Sequence, residues 1–349
     1  MIVYIFKFVE LELKLLQTIM DSLLNTKTMH PRDQITLVMQ RIYERVLTTT
    51  SGGNLSIIDD NGDIWITPTG VDKGLMKPAD IVCVKKDGTI IGDHRPSSEY
   101  PFHLAIYNER PDIKAIVHAH PPGMVAFSIV RKTPNTYILP QTHSLCGEIG
   151  YAGYALPGTA ALGESIAVEF KKGVSVVIME NHGTVIGGSD ISDAYQKFES
   201  VEITARSILY ANMIGKPVYL SPQKVAAYIE QLPSPAQEMK AVSHPSAERE
   251  KRLEICKIIK RACKQGLMLG AYGSVSARWN ENDFLITPEG ISKWDITIND
   301  IVQVKDGMRE KGKIPSSAAR LHQAIYEKHK EINAIIITQS PYLDRKSVV

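Results

Sequence analysis

Trp65-Ile66-Thr67-Pro68-Thr69-Gly70 returns later in the chain as Leu285-Ile286-Thr287-Pro288-Glu289-Gly290. Working outward from this pair, the matches continue in one order and at one spacing. Gly53 and Ser56 match Gly273 and Ser276 upstream. Downstream, Asp80-Ile81-Val82-Cys83-Val84 matches Asp300-Ile301-Val302-Gln303-Val304, and Pro96-Ser97-Ser98 matches Pro315-Ser316-Ser317. His103, Ile106 and Tyr107 match His322, Ile325 and Tyr326; Ile113, Ala115 and Ile116 match Ile332, Ala334 and Ile335. Self-similarity of this extent reads as a tandem duplication. The first copy is expected over 30–216. A connector punctuated by Pro217, Pro222, Pro233, Pro235 and Pro245 covers 217–246, with one short helix near 222–231. The second copy, 247–349, is truncated: its similarity ends at the equivalent of Pro122.

The ends fall outside the repeat. Residues 1–29 read as a leader or non-native extension. Their apolar stretch is interrupted by Lys7, Glu10, Glu12 and Lys14 and is far shorter than the roughly 20 residues of a spanning helix. Asp344–Val349 reads as non-native sequence.

Composition narrows the class. A chain of 349 residues suggests about two domains. With 44% hydrophobic and 22% charged residues it is an ordinary globular composition. Lys+Arg of 40 against Asp+Glu of 38 gives a net charge of +2, so no field attracts nucleic acid or anionic membrane, and neither is expected as a partner. Cys83, Cys146, Cys256 and Cys263 form no C-x-x-C pair, which fits a reducing, cytoplasmic setting. The basic stretch Lys251–Lys264, with Leu253, Ile255, Ile258 and Ile259 interleaved, reads as an amphipathic helix with a solvated basic face.

Periodicity gives an α/β fold. Helices are expected over 34–48 (capped by Asp33), 99–110 (capped by Ser97 or Ser98), 159–171 and 189–213, and strands near 54–58, 63–67, 81–84, 113–119, 174–179 and 184–186. The irregular alternation suits an α/β/α layered domain better than a doubly wound sheet.

One constellation carries chemistry. In Ala115-Ile116-Val117-His118-Ala119-His120 the two histidines project to one side of a strand and can hold one Zn²⁺ as a pair. A third ligand must come from afar, and His182 in Met179-Glu180-Asn181-His182-Gly183 is the best candidate. Three imidazoles leave a metal position open to substrate. Glu99 begins a helix, where it is either a dipole-compensating carboxylate or a general acid/base beside the metal. The second copy serves as an internal control. It carries Ile337 for His118, Gln339 for His120, Ala318 for Glu99, Ser274 for Asn54 and Glu289 for Thr69. It keeps Gly53, Pro68, Gly70, His103 and Tyr107 as Gly273, Pro288, Gly290, His322 and Tyr326. Lost positions read as chemistry and kept positions as fold. His103 is therefore structural, and Ser97 and Ser98, kept as Ser316 and Ser317, read as helix caps.

Taken together, Thr50-Ser51-Gly52-Gly53-Asn54-Leu55-Ser56, Ile66–Gly70, Pro96-Ser97-Ser98-Glu99, His118-Ala119-His120 and Asn181-His182-Gly183 resemble the class II aldolase/adducin family. The resemblance spans the first copy and about half of a second. It implies an α/β/α domain and zinc, or another divalent metal, on His118, His120 and His182. It also implies Glu99 as acid/base and a phosphate held by Asn54, Thr69, Gly70, Ser97 and Ser98. The implied reaction is reversible cleavage of a ketose 1-phosphate, such as L-fuculose 1-phosphate, to dihydroxyacetone phosphate and an aldehyde. No Schiff-base lysine is needed. The family aldolase draws a tyrosine from a neighbouring subunit, and Tyr137 does not match it by motif. A homo-oligomer is expected, with a small sugar phosphate as the partner molecule. Two alternatives stand beside the aldolase. One is a pentulose-phosphate 4-epimerase, whose relatives carry Asp where Glu99 stands. The other is a non-catalytic adducin-like scaffold.

Overall fold

The computed structural model describes residues 29–230, 237–239, 244–281 and 283–338. The leader, Gln339 and the Asp344–Val349 tail lie outside the described residues, apart from Met29. The described residues divide into two compact units, 29–230 and 237–338.

The first unit is built on an eight-stranded sheet of order β4-β3-β2-β1-β5-β8-β7-β6. Its strands are β1 (Asn54–Ile58), β2 (Ile64–Ile66), β3 (Val82–Val84), β4 (Ile90–Ile91), β5 (Ala115–Ala119), β6 (Ile149–Ala152), β7 (Val176–Met179) and β8 (Gly183–Gly188). Every neighbouring pair is antiparallel except β6 with β7. Helices α1 (Pro31–Glu44), α2 (Tyr100–Glu109), α3 (Pro122–Ile129), α4 (Pro140–Cys146), α5 (Ala160–Lys171), α6 (Ile191–Ile214) and α7 (Pro222–Glu230) complete it. On one face, Phe102, Ile106 and Tyr107 of α2 and Leu162, Ile166 and Phe170 of α5 pack on Ile64, Ile66, Ile116, Val177, Met179 and Val185. Strand alternation sends Leu55, Val117, Ile178 and Ile186 to the other face, against which α1, α3 and α6 pack. The layers are thus α/β/α. Each fully buried Ile or Phe here contributes about 1.5–3 kcal/mol of transfer free energy.

The second unit repeats half of that plan. Its five strands, β9 (Ser274–Arg278), β10 (Asp283–Ile286), β11 (Val302–Lys305), β12 (Met308–Arg309) and β13 (Ala334–Ile337), run β12-β11-β10-β9-β13, all antiparallel. That is the order of β4 to β5 in the first sheet. Helices α8 (Ser246–Lys264) and α9 (Ala319–Lys328) stand where α1 and α2 stand in the first unit.

Several expected boundaries move. α1 starts at Pro31, because His30 accepts the Arg32 N–H and so serves as N-cap in place of Asp33. It ends at Glu44, where Val46 turns to φ 56°. α2 is N-capped by Glu99 and not by Ser97 or Ser98, although Ser97 Oγ accepts the Glu99 N–H at 3.3 Å. α3, α4 and β6 were not anticipated. Pro122 and Pro140 each occupy the first turn of a helix, where a missing N–H costs nothing. The short helix of the connector, α7, packs on α4 of the first unit and buries Val225. In α8 the basic face is not wholly solvated: Arg252 is buried between Glu248 and Glu310. Among the described residues, no helix is long and apolar enough to cross a membrane.

Candidate metal centre and carboxylate

The site forms where three strands and one helix start converge. In the antiparallel register, Asn54 of β1 faces His118 of β5, and His118 faces Val185 of β8. His120 follows the end of β5. His182 sits in the tight turn between β7 and β8, whose Asn181 adopts φ 53°, a left-handed conformation that asparagine tolerates well. Two glycines permit the approach. A Cβ on Gly53, at φ 74°, would lie 2.7 Å from the His118 carbonyl, and one on Gly183 would lie 2.6 Å from both the Ala119 carbonyl and His120 Cδ2.

The rings of His118, His120 and His182 lie with centroids 4.9–5.0 Å apart. Among the described residues they form the one group of histidine, cysteine or acidic side chains placed to hold a metal ion, each offering an atom within 4.8 Å of the others. The His118 Nδ1–H donates to the Thr184 carbonyl at 2.9 Å, which fixes the tautomer and turns the Nε2 lone pair inward. Glu99 brings Oε2 to 3.2 Å from that Nε2 and Oε1 to 3.5 Å from His182 Nε2. His118 Nε2, His120 Nε2 and Glu99 Oε1 are all buried with no hydrogen-bond partner.

Burial, together with the positive charge of neighbouring imidazoles, depresses His120 to about 3 and His182 to about 4. These rings are neutral in the physiological range. Burial pushes the Glu99 carboxyl up, but His118, the Asn54 hydrogen bond and His182 outweigh it, holding Glu99 well below the usual carboxylate range. The result is a buried carboxylate among three imidazoles, with His118 Nε2, His120 Nε2 and Glu99 Oε1 left without hydrogen-bond partners. Such a set is costly when left alone. A divalent cation resolves it, so the residues present fit a metal.

The positions expected to hold phosphate fall on adjacent loops joined by a bridge between Pro68 and Pro96. Thr69, Gly70 and Ser98 are exposed; Ser97 is buried, with its Oγ engaged by the Glu99 N–H. Asn54 is buried, with both ends of its amide engaged. Its Nδ2 donates to Glu99 Oε2 at 2.7 Å and its Oδ1 faces His103 Nε2 at 2.5 Å. His103 is fully buried. Sequence reasoning missed two contributors. The Thr184 carbonyl, a backbone group, leaves no signature. The Asn54–Glu99 contact depends on the β1–β5 register, which alternation within one strand does not reveal.

Comparison with known proteins gives the same picture. The sequence profile described as the class II aldolase and adducin N-terminal domain matches residues 33–209 and again 253–344. An L-fuculose phosphate aldolase of Methanocaldococcus jannaschii is 34% identical over 185 residues, covering 53% of this chain and 99% of that protein. A 3-oxo-tetronate 4-phosphate decarboxylase of Haemophilus influenzae is 33% identical over 188 residues, covering 52% of this chain and 88% of that protein. Among solved structures, an L-fuculose 1-phosphate aldolase is 30% identical with a TM-score of 0.53, over 58% of this chain and 95% of that one. With both units matched, the chain belongs to the class II aldolase and adducin family.

Proposed function

We propose that the first unit is a metal-dependent carbon–carbon lyase that reversibly cleaves a ketose 1-phosphate, such as L-fuculose 1-phosphate, to dihydroxyacetone phosphate and an aldehyde. The observation that carries this reading is the buried cluster of His118, His120, His182 and Glu99, with metal-ligating atoms that lack hydrogen-bond partners. When bound there, a divalent cation, zinc by the three-imidazole donor set, supplies Lewis-acid stabilisation for charge developing on substrate oxygen. Glu99 does the proton work. Asn54 holds its Oε2, while Oε1 is free of hydrogen bonds and faces the histidines. Its free carboxylate oxygen can accept a proton from a substrate hydroxyl and return it to carbon. Thr69, Gly70, Ser97 and Ser98 supply hydroxyls and backbone N–H groups to a phosphate without a lysine or arginine.

A second reading has its own support, the similarity to a 3-oxo-tetronate 4-phosphate decarboxylase. Decarboxylation of a 3-oxo acid also breaks a carbon–carbon bond and leaves charge beside a carbonyl. The same donors suit either reaction, and the leaving fragment tells them apart. The test is to incubate the metal-loaded full chain with L-fuculose 1-phosphate and with 3-oxo-tetronate 4-phosphate, measuring dihydroxyacetone phosphate and carbon dioxide. The aldolase reading expects the first product, and a Glu99→Gln chain should retain its metal and lose about 10²–10⁴ in kcat. Carbon dioxide release without ketose cleavage would transfer the assignment to the decarboxylase.

A further inference from the structure

A buried chain of hydrogen bonds runs behind Glu99, and its direction is dictated by chemistry. Asn54 Oδ1 faces His103 Nε2, and an amide oxygen only accepts, so Nε2 carries the ring proton. With its one proton there, Nδ1 must accept, and it takes the hydroxyl proton of Ser56 at 2.7 Å. That uses the only proton Ser56 has. The contact between Ser56 Oγ and Tyr107 Oη, also 2.7 Å, therefore runs with the tyrosine as donor. The sequence of donations is Tyr107 to Ser56 to His103 to Asn54 to Glu99. Ser56 and His103 are fully sealed from solvent. Burial also pushes the His103 ring down to about 3, so it remains neutral and keeps the single proton this pattern requires.

We propose that His103, acting through Asn54, is a positioning residue for Glu99. The ring fixes which end of the Asn54 amide faces the carboxylate, so that an N–H holds Oε2 and Oε1 stays available for the reaction. With the proton on Nδ1 instead, the ring would turn a lone pair to Asn54, the amide would rotate, and Oδ1 would meet the Glu99 carboxylate acceptor to acceptor. This inference rests on Glu99 being the proton-moving group. The second unit supplies the contrast. His322 Nδ1 contacts Ser276 at 2.6 Å, Ser276 contacts Tyr326 at 2.7 Å, but His322 Nε2 ends on Ser274 at 2.8 Å with Ala318 in place of Glu99. The Ser–His–Tyr stack is common to both units; the Asn–Glu extension belongs to the first.

Two measurements on the full chain test this. Histidine ¹⁵N NMR should show His103, assigned by its loss in His103→Gln, as the Nε2–H tautomer between pH 6 and 8; the Nδ1–H tautomer overturns the proposal whatever the substrate proves to be. Matched variants then separate positioning from packing. Tyr107→Phe and Tyr326→Phe each remove one hydroxyl from the same stack and should lower the Tm comparably. Only Tyr107→Phe should reduce kcat, several-fold, with KM and metal content unchanged. His103→Leu should reduce kcat at least tenfold, with His103→Gln, which keeps an N–H donor, recovering part of it. Full kcat in Tyr107→Phe and in a folded His103→Leu chain would make the stack purely structural. A native chain that cleaves no sugar phosphate would instead remove the lyase reading, leaving the tautomer to decide the relay.

Discussion

The first turn of α2 and the first turn of α9 have the same backbone and different consequences. Glu99 sits at φ −94°, ψ 7° and Ala318 at φ −75°, ψ −3°. Ser97 accepts the Glu99 N–H and Ser316 the Ala318 N–H, both at 3.3 Å. Thr67 and Thr287 accept the N–H of Leu55 and Val275 at 3.2 and 3.3 Å. Around this shared frame, the first unit places His118 opposite Asn54, and the second places Ile337 opposite Ser274. Every contact that closes the frame is common to both. The unpartnered atoms of His118 and Glu99 have no counterpart at Ile337 and Ala318. An unsatisfied buried polar group costs about 1–3 kcal/mol, so isoleucine and alanine are the easier residues at these places when no cation is held. The cluster in the first unit is thus a stability cost that a ligand must offset. Thr69 against Glu289 extends the contrast: Glu289 Oε2 accepts the Ser317 N–H at 2.5 Å, so in the second unit the chain's own carboxylate occupies the helix start at the position matching Ser98.

The largest expected effect follows from removing one lone pair. The native chain should retain about one divalent metal after dialysis, and His120→Ala should retain none. The loss in affinity should exceed the roughly 10–100-fold that an outer hydrogen-bonding partner of a ligand costs. Elemental analysis reads both. Two metals in the native chain, or one retained in His120→Ala, would break the assignment of metal binding to the first unit alone.

Much of this contrast is readable from residue order. The His118–His120 pair follows from strand alternation, and the repeat itself separates His118 and Glu99, which are lost, from His103 and Tyr107, which are kept. Strand positions 54–58 and 113–119 lie within a residue or two of β1 and β5 because their apolar runs are short and bounded by turn residues. What does not read out is tertiary. The segment from Pro121 to Pro157 hides α3, α4 and β6 behind prolines that start helices rather than stop them. The tautomer of His118 depends on a carbonyl 66 residues away. The bond from Asn54 to Glu99 crosses from strand to helix, so it does not read out of either segment alone.

Protons sharpen the comparison at a smaller scale. His103, His120 and His182 in the first unit lie at about 3, 3 and 4, and His322 in the second at about 4, all driven down chiefly by burial from an ordinary 6.5. A depressed imidazole takes up its proton in the unfolded state first as the pH falls. Its contribution is therefore whole above about pH 6.5 and drains away as pH falls towards 3 to 4. The first unit carries three such rings against one, so in metal-stripped protein it should unfold at the higher pH. Trp65 reports the first unit, and Trp279 and Trp294 report the second. Fluorescence of Trp65→Phe against native protein separates the two transitions, and the reverse order would break the expectation.

The smallest effect lies at the end of α1. Both α1 and α8 close with the same pair of backbone bonds. Val46 and Leu47 donate to the carbonyls of Tyr43 and Ile42, as Gly266 and Leu267 donate to those of Cys263 and Ala262. This closure requires a left-handed residue just past the helix, normally glycine. The second unit has Gly266 at φ 70°; the first forces Val46, a β-branched residue, to φ 56°. The left-handed conformation costs an ordinary residue roughly 1–2 kcal/mol, and Val46 is 73% exposed, so its side chain recovers little by packing. Glycine removes the strain but adds freedom to the unfolded chain, about 0.5–1 kcal/mol. Val46→Gly should therefore stabilise the first unit by about 0.5–1 kcal/mol, raising its thermal midpoint by a degree or more. Gly266→Val should cost the second unit the larger amount, because strain and the lost fit of the turn act together. Calorimetry on the two single variants measures both, and equal shifts of the same sign would show that the two helix ends, alike in hydrogen bonding, are not alike in strain.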